Sequence, residues 1–354
     1  MNIHGMGVVF SGGRGIPRLR ETLRSGWQPP PRIEVPFQAD PYPAYTVSAE
    51  TLTDKALLQA IRRADRFTKM AVLAGADALA DASSAPPDRA RIGIILATAF
   101  GPHATTFRFL DDILDYGDAG VSPTTFSHAV HNAAASYLAT VLGVRGPTLT
   151  VTLFSFPFHE TLRLADAWLA EGRCDYVLAG AVDECGVAME YIVREKLSLA
   201  TDGMIRPFQF APTPGTVPGE GGVFMLLSRR EEPSYARVEA AVTSRPSPPP
   251  PADLLLLEAD GMLPDETPYR ECVAGAVAVA AYAPLFGGLM AGSAFSAAAG
   301  ALMLTSQTRF ATPVPDNPHG IPLCSESGPA ALRRIVSVKR DCQKRQGMIS
   351  LSRP

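Results

Sequence analysis

The sequence carries little charge for its length and almost no excess of either sign. Only 19% of its 354 residues are charged, 46% are hydrophobic, and the formal net charge is -3. This balance argues against a disordered chain and against a broad nucleic-acid surface. The length and composition allow a large core, either in a two-lobed α/β unit or in two fused core layers.

Cysteine is also scarce, and its spacing forms no recognisable framework. None of the five cysteines stands in a C-x-x-C pair, and their odd number would leave at least one unpaired if disulfides formed. Free thiols in a reducing cytoplasm are therefore the simpler interpretation. The five are Cys174, Cys185, Cys272, Cys324 and Cys342.

The sequence shows neither an export signal nor a convincing membrane span. The opening Met1-Asn-Ile-His-Gly-Met-Gly7 lacks the basic region and long apolar run of a signal peptide. The stretch from Cys272 to Thr308 has no charge and is long enough to cross a bilayer. However, Pro284, the pair Gly287-Gly288 and many small residues indicate tight packing in a buried core. We therefore predict a cytoplasmic protein with no membrane partner.

Apolar runs of strand length alternate with helical patterns along the chain. Examples of the former are Arg91 to Ala97, Thr148 to Leu153 and Tyr176 to Ala179. This alternation predicts an α/β protein whose strands are covered by helices on both faces. The proline-rich Arg245 to Ala252 cannot continue a helix or a central strand. It separates two predicted units, residues 1–244 and 253–354.

One segment has the form of a strand that turns sharply into a helix. It runs from Gly146-Pro147 through an apolar strand to Ser155 and Pro157, and proline is tolerated in a first helical turn. Such a turn can place a nucleophile beside the N–H groups at the start of the helix. These groups lower the pKa of a thiol and stabilise an oxyanion, so the nucleophile in this geometry is usually a cysteine. Here the available side chain is Ser155.

Several short segments, taken in their order along the sequence, resemble the ketoacyl synthase family, and the resemblance covers nearly the whole chain. They include Gly146 to Leu153, Glu171 to Asp183, Arg206-Pro-Phe208 and Gly219-Glu-Gly-Gly222. The phrase Ser122 to Ala133 is similar to the branch found in aryl polyene and related Gram-negative type II pathways. The resemblance implies a thiolase-like, layered αβαβα fold built from two pseudo-repeated halves.

The same resemblance implies that the catalytic residues of the family have been lost. Ungapped counts from Gly146 and from Gly180 both place the family's cysteine on Ser155. Its two histidines fall on Asp260 and Ser293, and its lysine falls on Gly288. A hydroxyl without an adjacent base is a poor acyl carrier. We therefore expect no independent condensing activity and no cofactor or metal, as in chain length factors, the inactive partners of active ketosynthases.

In such heterodimers one helix shapes the tunnel that receives the growing chain. Matching that helix without gaps between Gly101 and Gly117 places its tunnel side chains on His103, Thr106 and Leu110, with Phe107, Ile113 and Leu114 beside them. The three- and four-residue spacing predicts a single helical face. Ordinary amphipathic packing is the alternative explanation for these apolar residues.

The resemblance also implies an interface with an active ketosynthase, with acyl carrier protein engaged mainly through that partner. The family strand that pairs across the dimer axis corresponds to Thr148 to Leu153, and the phenylalanines after it are expected to form an exposed apolar patch. For His128 and His131, a structural or interface role is preferred to metal binding because no carboxylate or cysteine phrase completes a site. The predicted interface residues are Thr148, Thr150, Thr152, Phe154, Phe156, Phe158, His128 and His131.

Two other functions remain open on the sequence alone. Ser155 could act with His159, four residues further along the helix, in a divergent acyltransferase or hydrolase on acyl-carrier substrates. Alternatively, the chain could form a homodimeric, non-catalytic acyl-binding scaffold. The sequence does not distinguish aromatic, aryl polyene and other reduced products.

Overall fold

A computed structural model of the chain describes residues 1–34, 40–82 and 88–354. In its first part, short 3₁₀ turns occupy Arg89–Arg91 and Asp118–Gly120. The strands there are β1 (Asn2–Phe10), β2 (Gly13–Arg14), β3 (Arg32–Ile33), β4 (Tyr42–Pro43), β5 (Ile92–Thr98), β6 (Thr148–Thr152), β7 (Tyr176–Asp183), β8 (Ser198–Leu199), β9 (Gly215–Thr216) and β10 (Gly221–Ser228). The helices are α1 (Ile16–Ser25), α2 (Leu58–Ile61), α3 (Arg66–Ala80), α4 (His103–Tyr116), α5 (Pro123–Ala129), α6 (Ala133–Leu142), α7 (Pro157–Ala170) and α8 (Val187–Lys196).

The remainder of the chain adds fewer helices. Its strands are β11 (Ala236–Ser244), β12 (Leu254–Leu257), β13 (Val279–Ala280), β14 (Thr308–Arg309), β15 (Gly328–Pro329), β16 (Arg334–Arg340) and β17 (Gln346–Ser352). Its helices are α9 (Tyr269–Val273), α10 (Ala283–Phe286) and α11 (Gly292–Ser306).

The main sheet contains the same five-strand arrangement twice. Its order is β13-β12-β16-β17-β11-β1-β10-β7-β5-β6, with β2 paired to β1. In the first half β1 is antiparallel to β10 and β10 to β7, while β7 is parallel to β5 and β5 to β6. The second half repeats this pattern: β11 is antiparallel to β17 and β17 to β16, while β16 is parallel to β12 and β12 to β13. The two halves meet where Asn2 pairs with Arg237 and Ile3 with Ala236. The predicted pair of repeated halves is therefore present.

The second repeat begins earlier than the proline-rich segment that we used to divide the sequence. β11 pairs with β17 along Arg237 to Ser244, so it belongs to the second sheet half although it precedes residue 245. Residues 245–253 contain no helix or strand. This segment is thus a connection inside the second repeat, because it joins β11 to β12.

Helices cover both sheet halves and separate them. α3 and α6 pack on the outer face of the first half, and α9 packs on the outer face of the second. α7 and α11 lie in the layer between the halves, where Phe158, Leu162 and Phe295 are fully buried. Every residue of β1, β5, β7 and β10 is buried. The predicted αβαβα layering is confirmed.

Close contact between backbones explains the glycines near the start of the chain. A Cβ atom on Gly5 would lie 2.2 Å from the carbonyl oxygen of Ala78, and one on Gly7 would lie 2.0 Å from that of Ala74. Only glycine lets β1 approach α3 this closely. These glycines therefore serve the packing of β1 against α3.

The uncharged stretch from Cys272 to Thr308 is divided among several short elements. The alanine-rich segment after Glu271 is not a continuous helix, because α9 ends at Val273 and a short strand, β13, follows at Val279–Ala280. α11 holds the small-residue run and is almost entirely buried. Among the described residues, no helix combines the length and apolar character needed to span a bilayer.

Candidate functional site

Ser155 lies at the turn between β6 and α7, as the sequence predicted. The next residue, Phe156, adopts a left-handed conformation with φ of 56°, and Pro157 opens the helix. A non-glycine residue in this region marks a turn that the surrounding structure holds in place. The Ser155 side chain is partly exposed, whereas Phe156 is buried. The turn therefore offers a hydroxyl at the N-terminus of a 14-residue helix.

His159 is not arranged to activate Ser155. Its ring is buried, and neither ring nitrogen has a hydrogen-bond partner. The ring packs edge-on against Phe156 at 5.4 Å between centroids and against the backbone of Gly347. Burial, assisted by the positive charge of Lys339, lowers the pKa of His159 to about 3. Protonating this imidazole is thus unfavourable, and the geometry does not support a Ser155–His159 pair.

The structure brings Asp260 and Ser293 into one buried polar network. Nζ of Lys339 donates to Oδ2 of Asp260 at 2.9 Å and to the carbonyl oxygen of Leu289 at 3.3 Å. Oγ of Ser293 donates to Oε2 of Glu258 at 2.5 Å. The other carboxylate oxygen of Glu258 has no partner. Two positions that the resemblance assigns to histidines are therefore occupied by an ion-paired carboxylate and a hydrogen-bonded hydroxyl.

A third carboxylate connects this network to the first repeat. Oδ1 of Asp183, at the end of β7, accepts from Oγ1 of Thr98 at 3.1 Å and from the amide of Ala99 at 2.9 Å. Its Oδ2 accepts from the amide of Ala291 at 2.7 Å, just before α11. Burial raises the pKa of Asp183, although these donors oppose the shift. Asp183 thus ties the start of α11 to the end of β5.

Sequence reasoning missed Lys339, Glu258 and Asp183 as members of the site. Lys339 lies inside β16, and Gln346 begins β17. The sequence did contain a signal for Lys339, which stands at the end of the apolar run that begins at Ile335. A charge in a buried strand requires a partner of opposite charge.

Gly288 has no room for the lysine that the family carries at its aligned position. A Cβ atom there would lie 2.4 Å from Oγ1 of Thr216 and 2.8 Å from Cγ of Met262. The ammonium group near Asp260 comes instead from Lys339, a residue on a different strand.

The face of α4 that we predicted to line a tunnel is covered at its start and open further along. His103 is buried, and Thr106 donates to the carbonyl oxygen of Ala129 at 2.9 Å. The later apolar residues are uncovered, and Leu114 is 82% exposed. The exposed large apolar side chains of this region are Phe107, Leu110, Ile113, Leu114, Tyr116, Phe126 and Val130.

β6 is the last strand of the sheet, and within the described part of the chain it has a strand neighbour on one side only. The amide of Leu153 donates to the carbonyl oxygen of Thr98 in β5. Because amide directions alternate along a strand, the amides of Thr148, Thr150 and Thr152 point toward the open edge. This edge is a template for pairing with another strand.

The phenylalanines after β6 do not form the exposed patch that we predicted. Phe154 is 62% exposed, but Phe156 and Phe158 are buried. Helix α7 begins at Pro157, so the alternation of a strand ends there and Phe158 turns into the layer between the sheet halves. Leu149 and Leu153 are partly exposed and extend the apolar surface that Phe154 begins.

His128 and His131 lie near this surface and contact neighbouring groups. The His128 ring meets Tyr137 edge-on at 5.9 Å, and the His131 ring packs against Gly101. In the described ranges, no three histidine, cysteine or acidic side chains are grouped so that they could hold a metal ion.

A second buried network anchors the beginning of α4. Oε1 of Glu184 accepts from the amide of Ala104 at 2.8 Å and lies 3.7 Å from Nδ1 of His103. Burial raises the pKa of Glu184 to about 8. Nearby, Glu220, in the family-like phrase Gly219 to Gly222, accepts from the guanidinium of Arg66.

The paired five-strand halves, the layered helices and the strand-to-helix turn define a thiolase-like protein. Residues 1–232 match the family described as beta-ketoacyl synthase, N-terminal domain. That match covers more than half of the chain, so the protein belongs to the β-ketoacyl synthase family.

Its relatives include polyketide ketosynthases. The chain is 29% identical over 266 residues to "Putative polyketide beta-ketoacyl synthase 1" of Streptomyces halstedii, a match covering 68% of this chain and 60% of that protein. It is 24% identical over 246 residues to a chloroplastic 3-oxoacyl-[acyl-carrier-protein] synthase I of Arabidopsis thaliana, covering 65% and 51%. The chain thus spans about half to three fifths of the length of these relatives.

Solved structures share the fold along the whole chain. The ishigamide ketosynthase/chain length factor superposes with a TM-score of 0.79 at 17% identity, covering 100% of this chain and 98% of the other. A β-ketoacyl synthase from Burkholderia phymatum STM815 gives 0.82 at 16% identity, covering 100% and 99%. At such low identity this similarity concerns the fold alone.

Proposed function

We propose that this chain is a non-condensing subunit of the chain length factor type, which pairs with an active ketosynthase and shapes the tunnel for a growing carrier-bound polyketide. The observation that carries this proposal is the network that fills the aligned histidine positions. Asp260 is held by Lys339, and Ser293 is held by Glu258.

The chemistry of condensation explains why this network matters. Decarboxylative condensation needs a thiolate to carry the acyl chain and donors that stabilise an enolate. Ser155 supplies a hydroxyl, and the buried His159 has no hydrogen bond through which to deprotonate it. A carboxylate paired with an ammonium group accepts hydrogen bonds and has none to donate to an enolate. These features favour a partner role over the divergent acyltransferase or hydrolase.

The surface around β6 supports the proposed partner. It combines the open strand edge with exposed apolar residues on α4, α5 and the segment after β6. Monomeric proteins rarely leave such a continuous apolar surface uncovered. One structural neighbour is titled a ketosynthase/chain length factor, and another is an acyl-carrier protein in complex with its ketosynthase. We propose that acyl carrier protein reaches this subunit mainly through the ketosynthase.

The test is co-purification with an intact ketosynthase, one that carries the cysteine and both histidines, encoded beside this gene. We expect a heterodimer whose formation is lost in Phe154→Asp. The matched control is Val277→Asp, because Val277 is 78% exposed and lies near β13, at the opposite end of the sheet. Loss of pairing in Phe154→Asp alone would support the β6 surface.

Two results would contradict the proposal. If no ketosynthase co-purifies and the chain forms a stable homodimer, the acyl-binding scaffold becomes the better explanation. If mass spectrometry detects an acyl group on Ser155 after incubation with acyl carrier protein, the acyltransferase alternative gains direct support.

A further inference from the structure

Lys339 places an ammonium group in the interior between the two positions where the family has histidines. Its Nζ atom bonds Asp260 on one side and the carbonyl oxygen of Leu289 on the other. The Lys339 residue is 9% exposed. Its side chain lies on β16, 79 positions from Asp260 in sequence. A buried lysine pointing inward from a central strand is unusual, because this side chain normally keeps its charge in water.

The groups around this ammonium are mainly acidic. Asp260 and Glu258 act on it from the segment after β12, and Asp183 acts on it from the end of β7. Burial opposes the charge, but the carboxylates outweigh it and raise the pKa of Lys339. Burial also raises the pKa of Glu258. The Lys339 ammonium group thus offsets the negative charge of these carboxylates. Without it, that charge would be unpaired in the interior, which is costly.

Little space remains beside these groups, and Lys339 is one of the residues that line it. The remaining cavity measures about 10 Å³, which is room for roughly one water molecule. An acyl or malonyl group cannot enter such a volume. The lining residues are Glu258, Asp260, Ala283, Phe286, Gly287, Gly292, Ser296 and Lys339.

We propose that Lys339 is an internal plug, which neutralises Asp260 and closes the former substrate pocket to acyl and malonyl groups. The identity of the pocket rests on the proposed function. The plug itself is a property of the isolated chain. Its consequence is that returning cysteine and histidine to the aligned positions would leave the pocket closed while Lys339 remained.

The first test uses the unaltered protein and acetic anhydride as the probe. Lys344, on the turn that follows β16, is exposed and serves as an internal reference. We expect Lys339 to be acetylated at least about tenfold more slowly than Lys344, because a buried amine reacts only through local opening. Equal rates, measured by mass spectrometry of the folded protein, would overturn the proposal.

The second test asks whether the lysine side chain closes the pocket by its volume. Ser293→Cys introduces a reporter thiol one hydrogen bond from Glu258, and iodoacetamide probes its access. This reporter is combined with Asp260→Asn and either Lys339→Met or Lys339→Ala, so both proteins lack the ion pair. We expect alkylation at position 293 only with alanine, because methionine retains the length of the side chain.

Equal alkylation in the methionine and alanine proteins would refute the plug. Cys174 is buried and serves as the control for folding, since its alkylation reports global opening. Should both variants unfold, the acetylation of the unaltered chain still decides the question. None of these measurements requires a ketosynthase, so failure of the proposed pairing would be seen separately.

Discussion

At the scale of single residues, this protein buries several ionisable groups close to its candidate site. Glu184 is the clearest case because its carboxyl group receives the amide of Ala104 and faces His103, whose ring nitrogens have no hydrogen bonds. Burial is the main cause that raises the Glu184 pKa, and the charges of Asp65 and Glu220 act in the same direction. Between the ordinary pKa of a glutamate and the raised pKa, Glu184 is therefore protonated in the folded state and ionised in the unfolded chain.

This shift makes a testable contribution to stability. Glu184 favours the folded state fully below pH 4.5, the ordinary value, and loses that contribution as pH rises to about 8. Glu184→Gln keeps an acceptor for Ala104 but cannot ionise. We expect the variant to gain about 2 to 4 kcal/mol relative to the original protein between pH 5 and 8.

Urea denaturation of both proteins across this pH range measures the difference. Glu50 is exposed and unconnected to α4, so Glu50→Gln provides a control that should leave the pH dependence unchanged. A stability difference between the Glu184→Gln variant and the original protein that stays constant from pH 5 to 8 would contradict burial of a protonated Glu184.

At the scale of elements, α4 has two functionally different parts. Its first turn is fixed by Glu184, and Thr105 donates to Asp65 at 3.1 Å. Its later turns leave Leu110 and Leu114 open. Spacing alone predicted a shared face but not this division, because the covering groups come from α5 and from the segment after β7.

The proposed tunnel role of α4 predicts a change in product length. Leu110→Trp would add bulk to the open face and should shorten the polyketide made by the complex. Arg108→Trp is the matched control, since residue 108 lies on the opposite side of the helix. Mass spectrometry of products from the reconstituted pair gives the readout. Unchanged chain lengths in Leu110→Trp would remove Leu110 from the tunnel.

At the scale of the whole molecule, the sequence predicted the layers better than the contacts. Local apolar runs and the resemblance were sufficient for the repeated α/β architecture. They could not predict that β11 belongs to the second sheet half, because strand pairing with β17 is a long-range choice. The Lys339–Asp260 contact was missed for the same reason, and Phe158 was wrongly predicted to be exposed because its burial depends on how α7 packs between the sheet halves.

The surface of the isolated molecule predicts its behaviour without a partner. The open β6 edge and the apolar residues of α4 and α5 should make the chain associate with itself or aggregate as concentration rises. Sedimentation velocity over a concentration series tests this expectation. Addition of the ketosynthase should suppress self-association and raise Tm, because binding to the folded state stabilises it. A monodisperse monomer at all concentrations would contradict an uncovered interface.

The position of β1 at the junction of the sheet halves also has a consequence for biosynthesis. Asn2 pairs with Ser228 in β10 and with Arg237 in β11, so β1 finds both neighbours only after the long stretch of chain between them has been translated. Pairing across such a sequence distance is slow. During translation β1 must therefore stay unpaired. The side chains that it buries in the folded protein are then exposed, so we expect chaperones to bind the nascent chain.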